Sequence, residues 1–348
     1  CYIKNYDCMT YEEFITEWES DSPFVHIKTS GSTGAPKHMF VEKARMLASA
    51  RMTCDFLGLR PGDTALLCMP LDYIAGKMMV VRAIERGLNL SVVAPSNHPL
   101  AGLTKPFDFI AMVPSQVYES LKVPAETTLL AQSKRIIIGG GAISSELHNA
   151  ISKIHSIEPT PACCSFFSTY GMTETLSHIA LRWLNGPDAS DWYTPFEGVT
   201  ITLNDDDCLV INAPYVCKEP LITNDIAEIV DGRFRIKGRK DNVICSGGIK
   251  IHAEEVEAML KPHLHRPFYI TKKSDARFGE VVVLVTEDNE SEFTDIITLC
   301  DELLPRYWRP RHIIHVDHLP ITETGKPARR ELERLAQREK TDASALWT

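Results

Sequence analysis

An α/β fold is predicted for this chain: a large layered α/β N-terminal domain with a β-rich subregion, followed by a small α+β C-terminal domain. Three observations predict it. Up to about residue 186, short apolar runs alternate with helical patterns, as in βα units. From about residue 200 to 236, strand patterns are joined by Asp-rich and Asp-Gly turns, and beyond residue 242 a new mixture of helices and strands begins. The domain boundary is therefore predicted at residues 240–242, between domains of residues 1–240 and 241–348.

The N-terminal part of the chain predicts an ordered series of elements. Thr10 and Glu13 form a capping box that opens a short helix, and residues 24–28 alternate like a strand that enters a loop. The elements predicted next are a helix over 42–57, strand 65–69, helix 77–86, strands 90–93 and 107–112, a helix from Ser115, strand 135–138, a helix from Ser144 and a strand-like run over 164–168. This alternation predicts a sheet layered with helices.

The remaining elements belong to the β-rich subregion and the C-terminal domain. Strands are predicted over 200–203, 208–212, 226–230 and 233–236. Beyond the charged, turn-forming residues 237–242, the chain predicts a helix over 253–260, strands 268–271 and 281–286, helix 293–304, strand 313–316 and a basic helix from Ala328.

Composition and charge exclude several classes of protein. The 348 residues carry 37 Lys and Arg against 46 Asp and Glu, a formal net charge of −9, which argues against a nucleic-acid binder held by phosphate neutralisation. The apolar runs are far shorter than the roughly 20 residues that span a bilayer, so no membrane span is expected. Ten irregularly spaced cysteines resemble no zinc motif, and we interpret them as reduced thiols of a cytoplasmic protein.

A glycine- and hydroxyl-rich loop, TSGSTGAPK at 29–37, directly follows the first predicted strand. Backbone N–H groups and hydroxyls in such a loop can surround phosphate oxygens, and the closing Lys37 adds a cation. The spacing of Gly31, Gly34 and Lys37 is not that of a Walker A loop, which makes a kinase a remote alternative.

A second motif, YGMTE at 170–174, stands at the end of a predicted strand, where sheet proteins tend to place ligands. The ring of Tyr170 can stack on a base, the hydroxyl of Thr173 can meet a phosphate, and the carboxylate of Glu174 can hold Mg²⁺. A solvated helix start is the alternative interpretation of this motif taken alone.

Four further motifs follow in order, TND at 223–225, GRKD at 238–241, SGGIKI at 246–251 and TGK at 324–326. The ordered set resembles the adenylate-forming superfamily of acyl-CoA synthetases and ligases over residues 24–335. The motifs PLDYIAG at 70–76, VPSQ at 113–116 and GGGA at 139–142, with the early phosphate loop, are similar to the branch that acts on o-succinylbenzoate in menaquinone biosynthesis.

The resemblance implies a two-step reaction in which a carboxylic acid, ATP and Mg²⁺ give an acyl-adenylate, and the thiol of CoA then displaces AMP. It implies that the β- and γ-phosphates of ATP are bound by Thr29, Ser30, Gly31, Ser32, Thr33, Gly34 and Lys37. Thr173 would bind the α-phosphate and Glu174 would bind Mg²⁺. The adenine and ribose would be bound by Gly139, Gly140, Gly141, Ala142, Tyr170, Gly171, Asp225 and Arg239.

The small domain is expected to be mobile, because the resemblance makes Asp241 a hinge between two poses. In one pose Lys326, the adenylating lysine, would enter the active site. In the other pose the loop of Ser246, Gly247 and Gly248 would enter it and line a tunnel for CoA.

The acid pocket is expected to include Tyr73, Lys77, Ser177 and His178. Lys77, at a predicted helix start, is the cation nominated for the second carboxylate of o-succinylbenzoate, the alternative being a surface lysine. Ser177 and His178 are placed one helical turn past Glu174, and His178 could equally be a packing residue whose hydrogen bonds are satisfied.

The chain departs from the usual family pattern at several positions. Asp72 and Tyr73 stand where an aromatic and a His are common, Asn224 replaces the usual Gly before Asp225, and Ile249 and Lys250 replace a common Glu-Asn pair.

Three other functions remain open from the sequence. One is a ligase for another aryl or short-chain acid, one is a stand-alone adenylation domain that loads a carrier-protein thiol, and one is a non-catalytic sensor of AMP or an acyl-adenylate. A homodimer is also expected, because a shortened N-terminus would leave apolar surface for a second subunit to cover.

Overall fold

The computed structural model describes residues 9–28, 38–141, 143–154, 164–321 and 327–338. The chain divides into two compact units. The first consists of Cys1–Thr202, Val210–Leu221 and Ile229–Arg235, and the second of Leu203–Leu209, Ile222–Glu228 and Ile236–Thr348. The predicted α/β class is confirmed, while the boundary at residues 240–242 stays a prediction about the functional domains.

Six α-helices and nine strands lie wholly within the described residues of the first unit. The helices are α1 (Tyr11–Glu19), α2 (Lys43–Phe56), α3 (Ile74–Arg86), α4 (Pro114–Ser120), α5 (Pro124–Gln132) and α6 (Ser145–Ser152). The strands are β1 (Phe24–Lys28), β2 (His38–Glu42), β3 (Thr64–Leu67), β4 (Asn89–Val92), β5 (Phe109–Met112), β6 (Arg135–Ile138), β7 (Ser165–Gly171), β8 (His178–Trp183) and β9 (Thr194–Pro195). The capping box of Thr10 and Glu13 is formed as predicted.

The central feature of this unit is a seven-stranded sheet of order β4-β3-β5-β6-β7-β8-β9. Strands β4, β3, β5, β6 and β7 are parallel, and β8 and β9 are added antiparallel. Every residue of β5 is buried, as expected for a parallel strand that is covered on both faces. The carboxyl ends of the parallel strands therefore share one edge of the sheet, and the site motifs follow these ends.

A four-stranded sheet follows, of order β10-β11-β12-β13. Its strands are β10 (Thr200–Leu203), β11 (Cys208–Asn212), β12 (Leu221–Val230) and β13 (Arg233–Arg239). All four were predicted, and β12 and β13 are longer than predicted.

The second unit has a five-stranded sheet in which β15, β14, β17 and β16 are neighbours in that order and β18 pairs with β17. Its elements are β14 (Val243–Ser246), β15 (Ile249–His252), α7 (Ala253–Leu260), β16 (Phe268–Asp275), β17 (Gly279–Thr286), α8 (Phe293–Leu303), β18 (His312–His315) and α9 (Arg329–Arg338). Along β17, Val282 and Leu284 enter one apolar core while Val283 and Val285 enter another. Burial on both faces explains the uninterrupted apolar run of this strand.

The expectations about membrane spans and cysteines can be compared with the residues that the structure describes. None of their helices is long and apolar enough to cross a membrane. Of the seven cysteines among them, six are buried and Cys245 is exposed. Burial raises the pKa of the Cys68 thiol to about 12, which makes it unreactive at neutral pH.

Candidate active site

The carboxyl ends of β5, β6 and β7 bring the glycine motif and the Tyr-Gly motif together. Gly139 is the residue after β6 and packs closely against β7. A Cβ atom on it would lie 2.5 Å from Oγ1 of Thr169. The next residue, Gly140, has φ +82° and would place a Cβ atom 3.5 Å from the side chain of Val113. The glycines thus permit a close approach of backbones at this edge, where Gly141 and Tyr170 also lie.

Gly171 is required by the way β7 turns into β8. A Cβ atom on Gly171 would lie 2.4 Å from the carbonyl oxygen of Ser177, and the strand register shifts between Tyr170 and Gly171. The turn is fixed by the hydroxyl of Thr175, which donates to the carbonyl of Ser177 at 2.7 Å. Leu176 in this turn has φ +62°, a strained conformation for a non-glycine residue.

The expected helical turn after Glu174 is wrong. Thr173–Thr175 form a single 3-10 turn, and Ser177 leads directly into strand β8, which pairs with β7. Antiparallel pairing with the neighbouring strand β7 overrides the local helical preference here.

Glu174 lies beside a cavity of about 440 Å³ that is also lined by Thr173 and Cys217. The thiol of Cys217 donates to the backbone carbonyl of Glu174 at 3.1 Å, which fixes the backbone of the turn. The Glu174 carboxylate itself has no hydrogen-bond or ion-pair partner among the described residues.

This carboxylate fits the requirements of a Mg²⁺ ion that arrives with a nucleotide. Mg²⁺ is commonly held by one or two carboxylates and by phosphate oxygens of the substrate. In the part of the chain that the structure describes, no group of three or more His, Cys, Asp or Glu side chains is placed to hold a metal alone. The single carboxylate suits an ion whose remaining ligands come from the substrate.

Tyr170 belongs to a cluster of aromatic rings. Its ring lies 5.0 Å from that of Phe234 and 5.7 Å from that of Tyr193, and Tyr193 exchanges a 2.9 Å hydrogen bond with the hydroxyl of Ser168. The cluster holds Tyr170 beside the glycines of the β6 end and offers an apolar wall for a flat base.

In the second unit, Asp225 and Arg239 are joined by an ion pair of 3.0 Å. Asp225 is buried, with 9% of its surface exposed, and its backbone N–H donates to the hydroxyl of Thr223. A carboxylate held in this way is suited to accept hydrogen bonds from vicinal hydroxyls. Arg239 also reaches Asp241, at 3.2 Å.

The two glycines of the Ser-Gly-Gly loop connect β14 and β15. Gly247 and Gly248 have φ +57° and +85°, which matches the left-handed two-residue turn of a tight hairpin. Ser246, before them, is buried. The hairpin explains the glycines, and the role of this loop towards CoA stays a prediction.

The nomination of Lys77 as the acid-binding cation is corrected by its surroundings. Its ammonium donates to Glu17 at 3.2 Å and to the carbonyl of His26 at 2.8 Å, and it lies 5.1 Å from the ring centre of Phe14. Lys77 is 1% exposed, so it is not a surface lysine either. It ties α3 to α1 and β1, and its charge is paired with the Glu17 carboxylate and buried against Phe14.

A buried polar network that the sequence analysis missed lies on the next turns of α3. Arg82 donates to the hydroxyl of Ser177 at 2.7 Å, Ser177 bonds to Nδ1 of His178, and Nε2 of His178 bonds to Thr53. The expected residues Ser177 and His178 are thus brought together, while Tyr73 stands half-exposed just before α3.

Arg82 is the unusual member of this network. It is 2% exposed, its Nε has no acceptor, and no carboxylate of the described residues lies within ion-pair distance. Burial lowers the pKa of Arg82 to about 10, so it stays charged at neutral pH. Burial, with the nearby Arg82 charge, holds the pKa of His178 well below its usual range. An Arg within the apolar sequence of α3 was the signal that could have identified this group.

Comparison with known proteins gives the family. The family described as AMP-binding enzyme matches residues 7–213, more than half of the chain. The chain belongs to the AMP-binding enzyme family. A 2-succinylbenzoate–CoA ligase of Salmonella typhimurium is 30% identical over 291 residues, which cover 79% of this chain and 60% of that protein. The chain thus spans about 60% of the length of this curated relative.

Solved structures of the family share the fold. An acyl-CoA synthetase (AMP-forming)/AMP-acid ligase II-like protein from Dyadobacter fermentans is 34% identical, with a TM-score of 0.63 over 92% of this chain and 91% of that chain. The o-succinylbenzoate CoA synthetase of Bacillus subtilis, in complex with the acyl-adenylate OSB-AMP, is 22% identical, with a TM-score of 0.70 over 92% of this chain and 69% of that chain.

Several family residues expected from the sequence lie outside the described residues. They are Thr29, Ser30, Gly31, Ser32, Thr33, Gly34, Lys37, Ala142 and Lys326. The strands on either side of residues 29–37 pair antiparallel, with Lys28 opposite His38.

Proposed function

We propose that the protein is an AMP-forming acid–thiol ligase that uses ATP, Mg²⁺ and CoA. Membership of the AMP-binding family supports the ATP-dependent step. The observation that carries the proposal is the Glu174 carboxylate, which lines a cavity beside Thr173 and has no partner among the described residues. We assign the ribose hydroxyls to Asp225, which is buried and paired with Arg239.

In the first half-reaction, a carboxylate oxygen attacks the α-phosphorus of ATP and the bond to the bridging oxygen of the β-phosphate breaks. The products are an acyl-adenylate and pyrophosphate. Both reactants are anionic, so preorganised positive charge and hydrogen-bond donors must supply most of the barrier reduction. We assign the donors to Thr173, the loop 29–37 and Lys326, and Mg²⁺ held by Glu174 would neutralise phosphate charge.

In the second half-reaction, the sulfur of CoA attacks the acyl carbon and the bond to AMP breaks. The thiol proton leaves to solvent, and the products are a thioester and AMP. In this assignment CoA approaches along the hairpin of Ser246, Gly247 and Gly248. The small domain changes from one pose to the other by rotation at the hinge residue Asp241.

We propose o-succinylbenzoate as the acid, with Arg82 as the group that meets its second carboxylate. A buried guanidinium without an acidic partner is costly unless a ligand anion pairs with it. Arg82 is such a guanidinium, buried and without an acidic partner among the described residues, and it contacts Ser177, a residue of the expected pocket. The named relatives act on this acid, which agrees with the assignment.

The test is pyrophosphate release from Mg-ATP with a panel of carboxylic acids, with and without CoA, and with product masses determined. The proposal expects release with o-succinylbenzoate and a CoA thioester only when CoA is present. Release with a different acid would remove the substrate assignment and retain the ligase. Nucleotide binding without release for any acid would contradict the ligase and favour the sensor.

A further inference from the structure

Three consecutive residues at the predicted hinge each bond to a different element of the second unit. Lys240, Asp241 and Asn242 form a 3-10 turn between β13 and β14. Lys240 pairs with Asp206 of the β10–β11 turn at 2.6 Å, and Asn242 donates to the carboxylate of Glu254 in α7. We call this set of contacts, with those of Asp241, the hinge clamp.

Asp241 is held from two sides. One of its oxygens accepts from Nη2 of Arg239 at 3.2 Å and from Nδ2 of Asn224 at 3.4 Å. Asn224 stands where the usual residue of the resembled family is Gly, which has no side chain to donate. The contact is therefore a property of this chain's own sequence.

A backbone rotation at Asp241 changes the direction of the side chains that flank it, since a hinge absorbs its motion in a few φ and ψ angles. The contacts of Lys240 and Asp241 must break or re-form when these angles change. Both partners of the Lys240–Asp206 pair are half-exposed, so salt screens the pair. The barrier that these contacts add is modest, and it depends on ionic strength.

We propose that the hinge clamp, through Asp206 and Asn224, sets the rate at which the enzyme passes from adenylation to thioester formation. The proposal rests on the proposed ligase function. Asp206 and Asn224 act through the hinge residues and not on the substrates, so they are positioning residues. Weakening either contact should speed the passage and leave adenylation unchanged.

The matched control is Asp205, the neighbour of Asp206 in the same turn, which has no hydrogen-bond or ion-pair partner among the described residues. Asp206→Asn and Asp205→Asn make the same change in charge, but only the first removes an ion pair. Asn224→Gly restores the residue usual at its position and removes one contact of Asp241.

The experiment separates the half-reactions by rapid mixing. The pyrophosphate burst reports adenylation, and thioester formation after addition of CoA reports the passage. We expect Asp206→Asn to speed thioester formation by about 2- to 5-fold, the range of exposed ion pairs, with an unchanged burst. Asn224→Gly removes a 3.4 Å hydrogen bond and should speed it by a smaller factor. The rate of thioester formation of the wild type should rise with added salt, and the rate of Asp206→Asn should depend less on salt. Rates for both variants equal to those of Asp205→Asn would overturn the proposal.

A readout without turnover distinguishes failure of the clamp from failure of the ligase function. Endoproteinase Lys-C cleavage after Lys240, identified by fragment mass, should be several-fold faster in Asp206→Asn than in Asp205→Asn. Faster cleavage in a protein that releases no pyrophosphate would support the clamp and contradict the ligase. Equal cleavage in the two variants would contradict the clamp whatever the activity.

Discussion

The buried guanidinium of Arg82 leads to the sharpest prediction. If it pairs with the second carboxylate of the acid, Arg82→Met removes a charge-assisted hydrogen bond worth about 1.5–3 kcal/mol. This corresponds to a rise of about 10- to 150-fold in KM for o-succinylbenzoate. Arg82→Met loses the bond from Nη2 to Ser177 but also relieves the burial of an unpaired charge, and Ser177 keeps its bond to His178, so the free energy of unfolding should change little.

The assay compares two acids that differ only in the second carboxylate. Steady-state pyrophosphate release is measured with o-succinylbenzoate and with 4-oxo-4-phenylbutanoate, which lacks the carboxylate on the ring. Arg82→Met should lower kcat/KM for the first acid and leave the second nearly unchanged, and Arg82→Lys should fall between the wild type and Arg82→Met. Equal losses for both acids, or no loss for either, would refute the reasoning. Thermal melts of each variant check that folding is retained.

Three further predictions concern the framework of the site. Lys77→Met should lower the free energy of unfolding by about 1–3 kcal/mol in urea titrations with KM for the acid unchanged, because Lys77 pairs with Glu17; a changed KM at full stability would contradict this. Gly171→Ala should cost about 1–3 kcal/mol in the same titrations and slow pyrophosphate release, because its Cβ would overlap the Ser177 carbonyl; wild-type behaviour would show that the hairpin yields. The fold lowers the pKa of His178, so below about pH 6.5 the imidazole is protonated in the unfolded chain but stays neutral in the folded protein. The free energy of unfolding therefore falls as the pH drops. Between pH 7 and 5.5 the wild type should lose on the order of 1 kcal/mol, and His178→Gln should lose clearly less in urea titrations at the two pH values; equal losses would contradict a neutral buried His178.

Local signals were sufficient for many elements of the fold. The strands Arg135–Ile138 and Cys208–Asn212 were predicted with the bounds that the structure has, because each is a short apolar run between turn residues. The helix Tyr11–Glu19 was predicted from its capping box. Helix Pro124–Gln132 was missed, since its apolar residues are clustered in Leu129–Ala131 and give no helical period.

The errors at the site arise from contacts that the local sequence pattern does not show. Lys77 was interpreted as a pocket cation because nothing near it in sequence indicates Glu17, 60 residues earlier, as its partner. The helix expected after Glu174 is replaced by a hairpin that depends on pairing between β7 and β8. Arg82 becomes notable only when its burial is known. The glycine positions were more informative, because Gly139 and Gly171 each mark a close approach of backbones.

The homodimer expected from the sequence stays a prediction. Light scattering over a concentration series would test it, and a monomer mass at every concentration would contradict it.

The central claim is that the acid attacks the α-phosphorus of ATP, and oxygen transfer tests it most directly. The protein is incubated with Mg-ATP, CoA and o-succinylbenzoate carrying ¹⁸O in its carboxylates, and the phosphate-containing products are analysed by mass spectrometry. The proposed mechanism predicts one ¹⁸O atom in AMP and none in pyrophosphate, because the acyl–oxygen bond is the one that the thiol breaks. Label in inorganic phosphate or pyrophosphate, or AMP without label beside a formed thioester, would contradict an acyl-adenylate.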